Sequence, residues 1–162
     1  MTGERAPVSF TQTVTMFLSK SFGYALRGVL YVAMKGATGK KVAIDEIAEK
    51  LAVPRHFLAK VMKQLVKEGI LDSTKGPYGG FSLNAKTMSA KLIHLVKITD
   101  GVEQFNTCVL SLRKCNSRNP CPLHHQMMKL RDDMLAEFSK RSIGDLLNKE
   151  NPDFIKSIST IA

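Results

Sequence analysis

The stretch between residues 44 and 83 constrains the fold of this 162-residue chain more than any other part. Apolar residues recur at helical spacing at Ile44, Ile47, Ala48 and Leu51. After a break at Ala52 and Val53, a further helix is predicted, with Pro54 near its first position and Gly69 just past its end. A short helix, a tight turn and an amphipathic helix together predict a helix-turn-helix motif.

The second helix of this motif is both amphipathic and basic. Its apolar stripe consists of Leu58, Val61, Met62 and Leu65, and Glu68 is its only acidic residue. In a helix-turn-helix, the second helix lies in the major groove of DNA with its N-terminal residues against the base edges. We therefore expect DNA contacts from Arg55, His56, Ala59, Lys60 and Lys63. The alternative is a basic face that is merely solvated.

A β-hairpin is predicted directly after this helix. The segments 70–74 and 81–83 have strand character, and Lys75-Gly-Pro-Tyr-Gly-Gly80 between them allows a sharp turn. A hairpin in this position is typical of a wing, which lies against the phosphates or reaches into the minor groove. Lys75 and Tyr78 are its expected DNA contacts, and the alternative is an ordinary surface turn.

The charge distribution favours an anionic partner for the N-terminal half. The chain has a formal net charge of +10, and residues 16–90 hold 12 Lys and Arg against 5 Asp and Glu. Residues 91–162 hold 11 against 8. Double-stranded DNA is the first candidate partner, and an acidic membrane surface or general solubility are the alternatives.

The C-terminal half is predicted to contain a long helix with a narrow apolar stripe. A helix over residues 90–99 comes first and ends at Asp100 and Gly101. The stripe then recurs at spacings of four, three, four and four, at Leu123, Met127, Leu130, Met134 and Phe138. Such a stripe predicts a homodimer contact, and the alternative is that it packs back on the winged half.

All three cysteines lie on one short segment before this helix: Cys108, Cys115 and Cys121, followed by His124. Thiolates are the usual ligands of iron–sulfur clusters, and a histidine can replace one of them. Three cysteines and one histidine can also hold zinc, although zinc sites usually contain closely spaced cysteine pairs. A DNA-binding regulator with a metal-free thiol switch or a small-ligand trigger also remains open. A small redox enzyme is a further alternative, but the chain lacks a Cys-x-x-Cys pair.

These patterns predict a mainly α chain with a small β-hairpin wing. We divide it into a flexible extension (1–15), a winged helix-turn-helix domain (16–90), a linker helix, cysteine segment and dimerisation helix (91–149), and a tail (150–162). A short helix from Ile143 is expected to be followed by a frayed end. No signal peptide or long apolar run is visible, and the cysteine number is odd, which together predict a cytoplasmic protein that does not enter the membrane.

With the wing and the cysteine segment both identified, the chain resembles the bacterial winged-helix iron–sulfur transcriptional regulators of the Rrf2 type, which include IscR and NsrR. The resemblance covers about residues 16–149. It rests on the cysteine segment and on the stretches SKSFGYALR, VPRHFLAKVMKQLVKEGIL, KGPYGGFSL, TDGVEQF and SIGDLLNK.

The resemblance implies a homodimeric repressor whose affinity for its operator depends on an iron–sulfur cluster that senses redox state, nitric oxide or cluster supply. The implied ligands are Cys108, Cys115, Cys121 and His124, with a 2Fe–2S cluster favoured over 4Fe–4S and His125 as a neighbouring candidate. The acidic ligand of NsrR-like members corresponds to Gly23, which cannot ligate. An acidic residue of the IscR recognition helix corresponds to Ala59, so the operator preference need not transfer.

Overall fold

The computed structural model describes residues 18–36, 39–106, 118–148 and 152–159. Within these ranges the elements are α1 (Lys20–Gly36), α2 (Ile44–Lys50), α3 (Arg55–Lys67), β1 (Asp72–Thr74), β2 (Gly80–Ser82), α4 (Leu92–Thr99), a 3-10 helix (Val102–Asn106), α5 (His124–Lys140), α6 (Ile143–Leu146) and α7 (Pro152–Ser159). The predicted fold class, mainly helical with one small hairpin, is confirmed. No helix in the described ranges has the length and apolar character needed to cross a membrane.

Helix α1 lies at the centre of the fold, in contact with α2, α3, α4, α7 and β2. Its buried face is broad and includes Val29, Leu30 and Val32, each at most 1% exposed. Gly28 lets α3 approach closely, because a Cβ atom there would lie 2.7 Å from the Sδ atom of Met62. Because so much of α1 is buried, its apolar residues are not confined to one narrow stripe.

The helix-turn-helix is formed by α2 and α3, as predicted. The four residues of the α3 stripe are between 0% and 4% exposed: Leu58, Val61, Met62 and Leu65. Helix α3 is followed by Gly69 at φ 73°, where Ile70 N donates to Leu65 O over 2.9 Å. Glycine adopts this left-handed conformation without the steric cost of a side chain.

A buried tyrosine connects α1 to α2. The hydroxyl of Tyr31 donates to Oε1 of Glu46 over 2.9 Å, and Tyr31 is 1% exposed. Burial, together with the neighbouring carboxylate of Glu46, raises the pKa of Tyr31 to about 12 because both disfavour the phenolate. This hydrogen bond positions α2, which precedes α3, the second helix of the helix-turn-helix.

The wing is an antiparallel pair in which Asp72 faces Ser82 and Thr74 faces Gly80. Its first strand begins later than predicted, because Ile70 and Leu71 are 7% and 0% exposed and belong to the core. Val42 pairs with Phe81 on the other side of β2 through hydrogen bonds of 2.9 and 2.8 Å.

Glycine is required where this pairing is tightest. Gly80 has φ 149°, and a Cβ atom there would lie 2.6 Å from the carbonyl oxygen of Val42. A side chain at this position would therefore push β2 away from residue 42.

A buried threonine holds the base of the wing. Thr87 is 0% exposed, and its Oγ1 atom donates to Ile70 O over 2.7 Å. The backbone N–H of Asn84 donates to Thr87 Oγ1 over 3.0 Å, and the Asn84 side chain donates to Gly69 O over 3.1 Å. The segment after the wing is thus fastened to the segment before it.

The hydrophobic core extends across the predicted boundary between residues 90 and 91. It includes Leu95 and Val96 of α4 and Ile143 of α6. Helix α5 joins this core through its C-terminal half, where the rings of Phe138 and Phe22 stack with centroids 5.7 Å apart. The end of α5 is therefore packed on the winged half.

Backbone hydrogen bonds fasten the turn between α5 and α6 to the start of α4. Leu92 N donates to Arg141 O, and Ile143 N donates to Ala90 O, each over 3.0 Å. Ser142 and Asp145 form a reciprocal capping box at the start of α6. The hydrogen bonds from Ser142 lower the pKa of the Asp145 carboxyl.

The end of the chain differs from the predicted frayed end. Residues Pro152–Ser159 form helix α7, which contacts α1, and Ile158 is only 2% exposed. Burial of Ile158 against the core stabilises this segment.

Candidate DNA interface and cysteine segment

The exposed face of α3 carries the predicted DNA contacts. His56, Lys60 and Lys63 are exposed, and Ala59 is half-buried. These residues lie opposite the buried stripe, so the amphipathic pattern alone places them at the surface. The recognition helix therefore presents a basic surface that has the size and charge to enter a major groove.

Arg55, at the start of α3, is held by a carboxylate of the preceding helix. Its guanidinium forms an ion pair with Asp45 of α2, and both side chains are exposed. The hydrogen bond and charge of Asp45 raise the pKa of Arg55. The sequence reasoning missed this pairing, in which Arg55 already has an anionic partner within the protein.

An exposed aromatic residue was also missed. Phe57 is 53% exposed on α3, and its ring lies 4.1 Å from that of His56. Its position outside the apolar stripe was the available signal. An aromatic side chain at the N-terminal end of a recognition helix can contact a thymine methyl group.

A groove separates α3 from the wing. It has a volume of about 410 Å³ and is lined on the helix side by Arg55, Ala59 and Lys63. On the wing side it is lined by Ser73, Thr74, Gly76, Pro77, Gly79, Gly80 and Phe81. The fold thus brings three of the predicted contacts next to the hairpin that was predicted to accompany them.

The side chains at the tip of the wing are exposed to solvent. Lys75 is exposed, and Tyr78 is 92% exposed. An aromatic side chain with that exposure contributes nothing to the core, which makes it a contact candidate rather than a packing residue.

Two of the four predicted cluster ligands, Cys108 and Cys115, lie outside the described residues. The other two are adjacent in space, because Cys121 and His124 form a turn in which His124 N donates to Cys121 O over 2.9 Å. Cys121 is half-buried and His124 is 7% exposed. His125 is exposed, and its ring meets that of His124 edge-on at 5.5 Å.

The donor set of this turn fits the implied cluster. A thiol and an imidazole in one turn are a soft and a borderline ligand of the kind that binds iron in iron–sulfur proteins. Among the described residues, which include one of the three cysteines, no group of three His, Cys, Asp or Glu forms a metal site. Gly23 supplies no ligand, and a Cβ atom there would meet nothing within 4 Å.

The segments on both sides of the cysteines are fastened to the fold by contacts that the sequence reasoning did not identify. Asp100 accepts hydrogen bonds from Ser19 at the start of α1, from the backbone N–H over 2.8 Å and from the hydroxyl. Arg131 of α5 donates to the side chain of Asn106 over 2.9 Å. The part of the chain just before the cysteines is therefore tied to both α1 and α5.

The predicted dimerisation stripe divides into two parts. Leu123 and Leu130 are 46% and 48% exposed, and Met127 is half-buried. Met134 and Phe138 pack against the core of their own chain. The N-terminal half of α5 therefore leaves large apolar side chains without cover, while its C-terminal half anchors the helix.

The comparisons with known proteins agree with this architecture. Residues 18–149 match the Rrf2 family, described as iron-dependent transcriptional regulators. A candidate HTH-type transcriptional regulator of Aquifex aeolicus (strain VF5) is 34% identical over 137 residues, which are 83% of this chain and 94% of that protein.

Solved structures share the fold at low sequence identity. CymR, the global cysteine regulator of B. subtilis, is similar with a TM-score of 0.64 and 17% identity, over 80% of this chain and 94% of that one. IscR of T. potens is similar with a TM-score of 0.61 and 16% identity, over 84% of this chain and 88% of that one. These structures bear on the fold alone.

Proposed function

Because the chain belongs to the Rrf2 family of transcriptional regulators, we propose that it acts as a homodimeric repressor whose operator affinity is switched by an iron–sulfur cluster. The observation that carries this proposal is the Cys121–His124 turn at the start of α5, tied to a helix that is anchored in the winged half. Family membership also answers the enzyme alternative: the chain is a regulator and not a small redox enzyme.

The DNA-binding half acts through two kinds of contact. Lys60, Lys63 and Lys75 neutralise phosphates and position the protein, whereas Arg55 and His56, at the N-terminal end of α3, read base edges. Tyr78 at the wing tip contacts the backbone or the minor groove. All of these side chains are exposed, which supports their contact with DNA.

Cys108, Cys115, Cys121 and His124 would hold the cluster. The cluster supplies a redox-sensitive and nitric-oxide-sensitive centre, and 2Fe–2S is favoured because a histidine is the fourth ligand. The chain contributes the turn that presents Cys121 and His124. It also contributes Arg118, whose positive charge would offset the negative charge of the cluster.

The switch acts through the spacing of the two recognition helices. Each half-site needs a correctly placed α3, and half-sites lie about 34–36 Å apart. The contacts Ser19–Asp100 and Asn106–Arg131 fasten the chain just before the cysteines to α1 and α5, and the segment then continues directly into α5. A conformational change in the cysteine segment is thereby passed to α5, which carries the proposed dimer contact, and to α1.

A thiol trigger without metal is the second candidate function. It is favoured by the similarity in fold to CymR, a protein described as a cysteine regulator. The three cysteines are compatible with either function. A cluster would give visible absorption, whereas a metal-free thiol switch would not.

The test compares cluster-loaded and cluster-free protein. The protein, purified without oxygen, is expected to show broad visible absorption that bleaches with nitric oxide, and to bind DNA selected from a random pool with an affinity that changes on cluster loss. Salt must be constant, because phosphate contacts make affinity steeply salt-dependent. A colourless protein, or equal affinity of the two forms, contradicts the proposal.

The fourth ligand is tested by substitution. His124→Ala is expected to alter the visible spectrum and make the cluster more labile, while His125→Ala leaves both unchanged. Because His124 is buried and His125 is exposed, the fold of each variant is checked by circular dichroism. The opposite pattern would identify His125 as the ligand.

A further inference from the structure

A second cavity lies between the C-terminal end of α3 and helix α4. Its volume is about 440 Å³, within the range of small-molecule sites. It is lined by Glu68, Gly69, Ile70, Lys86, Ser89, Ala90, His94, Lys97 and Ile98. None of these residues lines the groove between α3 and the wing, and none is a predicted cluster ligand.

The cavity has an apolar wall and a cationic rim. Ile70 and Ala90 are 7% and 6% exposed and join Ile98 in the wall. Lys86, His94 and Lys97 are exposed lining residues and form the rim together with Glu68, whose carboxylate is the only one in the lining. The cavity thus carries two ammonium groups and an imidazole against one carboxylate.

The rim cations are not neutralised by the protein. Throughout the parts of the chain that the structure describes, the ion pairs are Arg55–Asp45, Arg131–Asp132 and Arg141–Glu137. Lys86 and Lys97 take part in none of them, although Glu68 lines the same cavity. Two unpaired ammonium groups beside an apolar wall form a surface complementary to a molecule with one anionic end and one apolar end.

We propose that this cavity binds a small organic carboxylate with an apolar body. The body lies against Ile70, Ala90 and Ile98, and the carboxylate faces Lys86 and Lys97. Such an occupant contacts the residues that join the recognition helix to the wing, Glu68–Ile70, and the helix whose end leads to the cysteine segment. The site does not depend on the cluster.

The first test uses 4-phenylbutyrate as a probe and its uncharged amide, 4-phenylbutyramide, as the matched control. The methyl resonances of Ile70 and Ile98 are followed by NMR in the full chain, with Ile158 of α7 as an internal reference. A molecule of this size is expected to bind with a Kd on the order of 1 mM. The shifts should saturate with the acid, be weaker with the amide and leave Ile158 unchanged.

The second test uses two charge substitutions that are expected to change the Kd for 4-phenylbutyrate in opposite directions. Lys97→Gln is expected to weaken binding about two- to fivefold and Glu68→Gln to tighten it by a similar factor, as for one exposed charge pair. Lys50→Gln, on α2 and outside the cavity, is the control and should change nothing. All three sites are exposed, so the fold is expected to be retained.

Four results would overturn the proposal, three from the organic probes and the variants and one from phosphate. Shifts that do not saturate, shifts of equal size with acid and amide, or a Kd that Lys97→Gln and Lys50→Gln change equally would each show that the cavity does not select a carboxylate. Inorganic phosphate as a further probe should leave the isoleucine methyls unshifted, because it has no apolar body. Saturable shifts with phosphate would show an anion site without an apolar subsite.

Discussion

Replacing Thr87 by valine removes one hydroxyl from the base of the wing and leaves the shape of the side chain nearly unchanged. The Oγ1 atom donates to Ile70 O over 2.7 Å and accepts from Asn84 N over 3.0 Å. Thr87 is 0% exposed, so water cannot replace the lost donor at Ile70. A buried polar group without a partner costs about 1–3 kcal/mol. Because Asn84 is half-buried and can reach water, we expect a total loss of about 2–3 kcal/mol.

The assay is unfolding followed by circular dichroism, with heat and with urea. For a chain of this length the expected loss lowers Tm by about 5–10 °C. Thr87→Ser is the matched control, because it keeps the hydroxyl and loses one buried methyl group, which costs about 1 kcal/mol.

The relative stability of the two variants shows whether the hydroxyl or the methyl group of Thr87 stabilises the base of the wing. If the hydrogen bond to Ile70 stabilises the wing base, Thr87→Val unfolds more easily than Thr87→Ser. A valine variant as stable as the parent protein, or more stable than the serine variant, would refute the reasoning. The site would then be held by packing of the methyl group alone.

Three further predictions concern DNA, assembly and pH. Lys75→Ala is expected to weaken binding to all DNA sequences and to reduce the salt slope by about 1, whereas His56→Ala changes sequence preference; a uniform loss from both, measured by fluorescence anisotropy, would show that His56 does not read bases. Leu130→Glu is expected to convert the dimer to monomer in analytical ultracentrifugation, while Ser139→Glu, exposed on the opposite face of α5, does not; a dimer that survives Leu130→Glu would exclude this face as the interface. Neutral Tyr31 contributes stability that is complete below the unfolded-chain pKa of about 10 and is lost as the pH rises to about 12. Tyr31→Phe should flatten this alkaline loss in urea unfolding, and an unchanged pH profile would show that Tyr31 does not cause it.

Local sequence patterns were sufficient to predict α3 and the wing, the elements that carry the candidate DNA interface. The α3 stripe was predicted residue by residue, because burial of one helical face leaves a period that does not depend on the partner helix. The wing was predicted from its glycines, because the turn needs backbone conformations that other residues adopt at a cost. The exposed positions of His56, Lys60, Lys63 and Lys75 follow from the same two patterns.

Contacts between distant parts of the chain could not be predicted in this way. Ser19 and Asp100 are 81 residues apart, and their hydrogen bonds leave no periodic signal in the sequence. The ion pair of Arg55 with Asp45 depends on the angle between two helices, which the sequence of neither helix specifies. Helix α7 was missed because Ile158 packs against a core formed by distant parts of the chain.

The sequence by itself determined the order of the helix-turn-helix, the wing, the helix that follows it and the long helix α5. It also determined the basic face of α3 and the presence of three cysteines and a histidine on one short segment. These features depend on residue type and on spacing along a single helix or turn. The tertiary structure decided that α5 is anchored at its C-terminal half and exposed at Leu123 and Leu130. It also decided that Thr87 fastens the wing and that Lys86 and Lys97 meet at one cavity. The physical reason is that such contacts depend on how helices pack, and packing joins residues that no local period relates.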